Sequence, residues 1–246
     1  MSFALLERVR HRAARYVTAD PVTIAPERGV MSLSFDDFPV SAWTEAGPVL
    51  AQHGVKATYY VAGGLCGASN LDLPQFEVTH LEQLLEAGHE IGCHTFEHTS
   101  VLGMSAEALN ASLEQNARWV AERLDGHRMT TFAYPFGDWS VGAKRVIAER
   151  FACGRGVRDG VNAGRSDRAG LLAIGLEARR LAAYDLEALA AEAAARRGWL
   201  IVYGHDVSDR PTEYGCRPED LDRMIRVGRS AGLDVLPVAE ALARVV

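Results

Sequence analysis

The sequence predicts an α/β protein in which about seven parallel strands curl into a distorted (β/α) barrel, with an extra helix at the N-terminus. Three observations predict it. Short apolar, β-branched runs alternate with helical patterns along nearly the whole chain, which implies a parallel sheet. There are seven or eight such units, which suits a closed or distorted barrel better than an open sheet. Finally, Asp36, Asp37, His94, His98, Phe136 and His205 each follow directly after a strand, and strand ends are where such barrels carry their reactive groups.

The elements follow in order. Phe3, Leu5, Leu6 and Val9 alternate with arginines at helical spacing, giving a helix across one end of the domain; residues 1–27 are read as an extension and 28–240 as the barrel, in one domain. Residues 29–35 form an apolar strand, 42–52 a helix stopped by Gly54, and 56–61 a second strand rich in aromatic and β-branched residues. Residues 62–74 read as a loop. Thr79–Glu82 has the form of a capping box, opening a helix that Gly88 ends. A strand at 90–93 runs into the histidine pair, and Ser105 caps a helix to about Arg123. Then come a strand at 130–133, a helix at 140–150, a brief strand at 151–153, an irregular Gly-, Arg- and Asp-rich loop at 154–170, and a strand at 171–174. Asp185 caps an Ala/Glu helix that ends in Arg196-Arg197-Gly198. Residues 199–203 are a buried-type strand, Pro218 starts a helix, and a strand at 233–236 and a helix at 238–244 close the chain.

At 246 residues the chain can bury a substantial core, and its 24% charged content is ordinary for a globular protein. The net charge is −6 and the basic residues are scattered, so a nucleic-acid partner is not expected. No run approaches the ~20 apolar residues of a membrane span and no secretory leader is visible, so the expectation is a cytoplasmic protein with no membrane partner. Cys66, Cys93, Cys153 and Cys216 form no CxxC pair and read as reduced thiols. His11, His53, His80, His89 and His127 read as surface or helix-end residues. Nothing in the sequence speaks to oligomeric state.

The chemistry concentrates at four strand ends. Asp36 and Asp37 are adjacent carboxylates after an apolar strand, a costly juxtaposition unless a cation or proton lies between them. One can bind a metal while the other stays ionised and takes a proton from water, provided the chain bends at Asp37. His94 and His98, among Thr95, Glu97, Thr99 and Ser100, read as metal ligands. Two neutral imidazoles with one carboxylate suit Zn²⁺ and leave coordination open. His-Thr-Phe-Glu-His also fits the H-x-x-E-H peptidase pattern, but that pattern needs a helix, and a strand precedes it here. His205, at the end of Leu-Ile-Val-Tyr, reads as a general acid.

Together these stretches, from about Met31 to Leu236, resemble the polysaccharide deacetylase family, which includes chitin, chitooligosaccharide and peptidoglycan deacetylases. The usual Thr-Phe-Asp-Asp-Gly reads here as Ser34-Phe35-Asp36-Asp37-Phe38, and the His-Ser/Thr-x-x-His motif is met by His94, Thr95 and His98. Arg-x-Pro-Tyr-Gly reads as Ala133-Tyr134-Pro135-Phe136-Gly137, and His205 matches the last motif. The resemblance implies Asp36 as base, Asp37 as metal ligand, Phe136 as backbone donor to an oxyanion, and a distorted barrel. It implies a metal-dependent hydrolase removing an N-acyl group, most naturally N-acetyl, from an amino sugar; the alternative is hydrolysis of a small linear or cyclic non-sugar amide. Three positions depart from the pattern. The motif's arginine, which orients the base, is Ala133, with Arg158, Arg179 or Arg180 as candidate substitutes. The Asp-Trp pair that orients the acid histidine has no clear match. The leucine two residues before the histidine is Tyr203.

Overall fold

The computed structural model describes Ala14 and residues 16–246; the predicted N-terminal helix otherwise lies outside the described residues. Seven parallel strands run side by side in the order Ile174–Gly175 (β10), Trp199–Gly204 (β11), Val30–Phe35 (β2), Thr58–Val61 (β3), Glu90–Cys93 (β6), Thr131–Ala133 (β7) and Cys153–Arg155 (β8). An eighth, Asp234–Val235 (β12), pairs parallel with the start of β2. The sheet curls until its two edges nearly meet. A single parallel bridge between Arg155 and Leu171 joins β8 to the segment leading into β10. The fold is therefore the distorted barrel that the alternation of elements predicts.

Period-two patterning explains β2. Ser32, Ser34 and Asp36 share one face, and Trp199 Nε1 donates to Ser32 Oγ at 2.9 Å. Leu33 and Phe35 face the opposite way into the main apolar cluster with Leu50, Leu84, Leu200 and Ile225. Helices cover that outer surface. Ser105, Ser140 and Asp185 each accept a bond from the backbone N–H three residues on, as N-caps do.

Several elements differ from the sequence reading. The stretch 154–170 is not an irregular loop throughout. Gly164–Asp167 (β9) pairs antiparallel with Pro21–Ile24 (β1), from Pro21↔Asp167 to Ile24↔Gly164. The brief strand lies at 153–155 rather than 151–153, and the next at 174–175 rather than 171–174. The loop 62–74 contains a 3₁₀ turn, Gly63–Leu65, and a hairpin of Ser69–Asn70 (β4) and Leu73–Pro74 (β5). The helix Val78–Glu86 starts earlier than the Thr79 box implies, with Glu77 N–H donating to His80 Nδ1 at 2.9 Å. His89 is buried rather than superficial, its Nδ1 accepting from Ala57 N at 3.0 Å. Among the described residues no helix is long and apolar enough to cross a membrane. All four cysteines are free thiols.

Candidate metal centre

Residues at or after the C-terminal ends of the seven side-by-side strands converge on one cavity. Asp36 and Asp37 follow β2, His94 and His98 follow β6, Phe136 follows β7, Arg155 ends β8, Glu177 follows β10 and His205 follows β11. The hairpin after β3 adds Asn70. These groups surround a cavity of about 370 Å³, except that Arg155 lies beneath its wall.

The bend that two adjacent carboxylates need is present. Asp37 and Phe38 both take the left-handed conformation, φ 62° and 67°, and Phe38 N donates back to Asp36 O at 2.6 Å. This reversal brings the Asp37 side chain round to the side of Asp36. Asp37 Oδ1 then lies 3.0 Å from His98 Nε2 and 3.4 Å from His94 Nε2. One donor atom from each of Asp37, His94 and His98 falls within 4.8 Å of the others. Thr95 and His98 also have positive φ, 62° and 51°, so the second motif reaches the site by the same kind of tight turning.

Hydrogen bonding tests whether a cation belongs here. His94 Nδ1 lies 2.8 Å from Ala133 O. A carbonyl only accepts, so Nδ1 carries the proton and Nε2 of the neutral ring has a bare lone pair. That lone pair faces Asp37 Oδ1, a buried carboxylate oxygen with no hydrogen-bond donor. Buried lone pairs facing one another require a positive charge between them. Burial works against ionising Asp37, but the two histidines overcome it and hold the carboxyl well below its ordinary value. Conversely, Asp37 and Asp36 outweigh burial and raise the His94 imidazole. A divalent cation is the other species that fits these three donors.

Arg155 answers the question left by Ala133. It lies directly opposite Ala133 in the β7–β8 register, so the guanidinium is supplied from the same level of the barrel, one strand over. Arg155 is wholly buried, pairs with Asp36 through Nη2, and lies between the rings of Tyr60 and Tyr203 at 4.8 and 5.1 Å. None of the three arginines proposed from sequence pairs with Asp36, although Arg179 lines the cavity. Arg158 is exposed, Arg179 pairs with Glu177 at 3.2 Å, and Arg180 binds Asp159 and the Tyr203 hydroxyl. Burial would raise the Asp36 carboxyl, yet Arg155, with His94 and His205, holds it below its ordinary value. Close packing isolates Arg155 on its strand: a Cβ on Gly154 would meet Ile147 at 2.7 Å, and one on Gly156 would meet Trp139 at 2.4 Å.

His205 Nδ1 donates to Tyr214 O at 3.2 Å, which turns Nε2 away from that contact. The buried carboxylate of Glu177 lies 3.9 Å from the same Nδ1, so the Nδ1 edge of the ring is held between two acceptors. Sequence reasoning missed Arg155, Glu177 and Asn70. The first two carried one visible sign, a charged residue at or just past a strand end. Phe136, at φ 59° and 62% exposed, lies against His98 with ring centroids 4.6 Å apart.

The sequence model described as polysaccharide deacetylase matches residues 23–150, just over half of the chain. A chitin deacetylase of Arthroderma benhamiae is 25% identical over 124 residues, covering 49% of this chain and 31% of that protein. The peptidoglycan-N-acetylglucosamine deacetylase PgdA of Listeria monocytogenes is 29% identical over 108 residues, 44% of this chain and 21% of that one. The chain thus spans a third or less of the length of these curated relatives. The solved chitin deacetylase of Colletotrichum lindemuthianum superposes with a TM-score of 0.62 over 92% of each chain, at 17% identity.

Proposed function

This chain belongs to the polysaccharide deacetylase family, and from that premise we propose that it is a metal-dependent hydrolase removing an N-acyl group, N-acetyl in the first instance, from an amino-sugar substrate. The observation that carries the reading is the meeting of Asp37, His94 and His98 around an orphaned carboxylate oxygen, with Asp36 and His205 lining the same cavity.

Asp37, His94 and His98 would hold the cation, and their two-imidazole, one-carboxylate set suits Zn²⁺. When bound, such a cation polarises the acyl oxygen and lowers the pKa of water. Asp36, kept ionised and oriented by Arg155, takes the proton from the attacking water. The Phe136 N–H donates to the oxygen that gains charge, a contact of the kind worth roughly 3 kcal/mol in acyl-transfer enzymes. His205 holds a proton for the departing nitrogen, its Nδ1 side anchored by Tyr214 O and Glu177. The exposed faces of Phe136 and Leu71 at the cavity mouth offer apolar contact to the C–H face of a sugar ring.

The modest cavity favours a second reading of the same machinery, hydrolysis of a small linear or cyclic amide, because about 370 Å³ lies at the small-ligand end of the usual range. One pair of assays decides. Protein stripped with chelator and reloaded with Zn²⁺ is given acetylated chitooligomers and, separately, small amides, and acid and amine release are followed. Turnover of the oligomers that vanishes on stripping and returns on reloading is expected. Release from small amides alone transfers the function to the second reading, and activity indifferent to chelation overturns the metal assignment.

A further inference from the structure

Resting on the metal-site reading above, we propose that Asn70 is a positioning residue that selects which oxygen of Asp37 faces the histidine pair. Asn70 lies at the end of β4, on the hairpin that follows β3, and its Nδ2 is 3.0 Å from Asp37 Oδ2. An ionised carboxylate only accepts, so the contacting atom of Asn70 is the amide nitrogen. This bond occupies Oδ2 and leaves Oδ1 as the oxygen directed at His94 and His98. The terminal torsion of an aspartate is soft and nearly two-fold. Without the amide, either oxygen or both can turn inward, and the ligand set loses its preorganisation.

The hairpin is built to hold this one contact. Asn70 pairs with Leu73 across a two-residue tip of Leu71 and Asp72, both left-handed at φ 52° and 60°. Such a tip ordinarily selects Asn-Gly or Asp-Gly, and a Leu-Asp tip persists only where its surroundings fix it. Its surroundings are the turn that carries Asp37 itself. Val40 N donates to Pro74 O at 3.0 Å, Phe76 N donates to Phe38 O at 3.1 Å, and Pro39 bridges Gln75. Ligand turn and hairpin are thus one stitched unit, so Asn70 meets Asp37 at a fixed place. Leu71, next to Asn70, is 56% exposed and lines the same cavity as Phe136. The segment that sets the Asp37 carboxylate therefore also walls the substrate side.

The test is metal binding by the full chain, without substrate. Zn²⁺ affinity of the chelator-stripped protein is measured by competition with a chromophoric chelator, and the visible bands of the Co²⁺ form report ligand geometry. Asn70→Ala and the volume-matched Asn70→Leu are each expected to weaken Zn²⁺ binding about 10- to 100-fold and to alter the Co²⁺ bands, with the urea midpoint near wild type. Ser69→Ala, an exposed change on the same strand that lies outside the cavity and keeps the amide, should bind Zn²⁺ as wild type does. Asp37→Asn separates the two layers of argument. If it binds Zn²⁺ like wild type, the metal-site reading itself is wrong. If Asp37→Asn loses the metal while both Asn70 variants keep wild-type affinity and spectra, only the role of Asn70 is overturned.

Discussion

At the scale of single residues the site is a balance of buried charges, and each partner has a measurable share. Asp36 and Arg155 are both buried, so removing one strands the other. Arg155→Met is expected to destabilise the fold by ~3–5 kcal/mol and to abolish turnover. Adding Ala133→Arg to that variant puts a guanidinium back at the same register level and should recover part of both losses, read from urea midpoints and kcat. Asp36→Asn should keep Zn²⁺ and lose about 10²–10⁴ in kcat; full activity there would remove Asp36 as the base. His94 adds a pH dependence to metal uptake. Asp37 and Asp36 raise its imidazole above 6.5 against the effect of burial, so a proton competes with the cation for Nε2. Zn²⁺ affinity should rise by up to about tenfold per pH unit below that raised value and level off above it. An affinity flat across this range would mean that His94 does not bind the cation through that nitrogen.

At the scale of elements, what was legible in the sequence follows from what each pattern encodes locally. Ser105 and Asp185 were readable as caps because a cap is a bond three residues long, and Ser140, read only as the first residue of its helix, caps it in the same way. The pairing of β1 with β9 joins residues about 140 apart, Pro-Val-Thr-Ile against the polar Gly-Arg-Ser-Asp, and no local periodicity marks it. Arg155 was hidden for the same reason, since its partner Asp36 lies on a non-adjacent strand and only closure of the barrel brings them together. Five of the six site residues singled out were read for side chains at motif spacing, and Phe136 for its backbone N–H. Their supports, Arg155, Glu177 and Asn70, are set by tertiary geometry. The turn after β2 shows an element resolving a conflict of its own. Position 38 is glycine in the usual motif; here Phe38 is left-handed, which costs ~1–2 kcal/mol. Its ring is fully buried, stacked on Phe76 at 5.2 Å and beside Tyr59 at 5.0 Å, and losing such a ring costs ~3–5 kcal/mol. Packing wins. Phe38→Gly should relieve the backbone yet lower stability by a net ~2–3 kcal/mol, with the metal site intact.

For the whole molecule the two ends of the barrel divide the work, and pH can tell them apart. Among the described residues nine non-glycine positions have positive φ, and seven of them (Asp37, Phe38, Leu71, Asp72, Thr95, His98 and Phe136) lie in turns at the C-terminal end, where strain serves the site. The opposite end is built for cohesion. There Glu90 accepts from Thr58, Thr131 and Ala239 N, tying three strands' neighbours to the closing helix Val238–Val245, and His89 beside it is held neutral. Burial, then Lys56, depresses His89 from 6.5 to about 4. Between those values the unfolded chain binds a proton that the folded chain refuses, so this group's contribution is full above pH 6.5 and declines as pH falls to 4. A displacement of that size corresponds to ~3 kcal/mol. Other buried groups act in the same window with other signs. In the metal-free protein the raised His94 and Glu90 favour the folded state as they take up protons, while Asp36 and Asp37, held low, release their contributions only at lower pH. The total profile therefore mixes both ends of the barrel, and the difference between wild type and His89→Asn isolates one. Asn keeps an acceptor for Ala57 N–H and does not titrate. The urea-derived stability gap between the two proteins should shrink by ~3 kcal/mol from pH 7 to pH 4, with metal present or absent. A gap constant with pH would mean that His89 is protonated as readily in the fold as outside it.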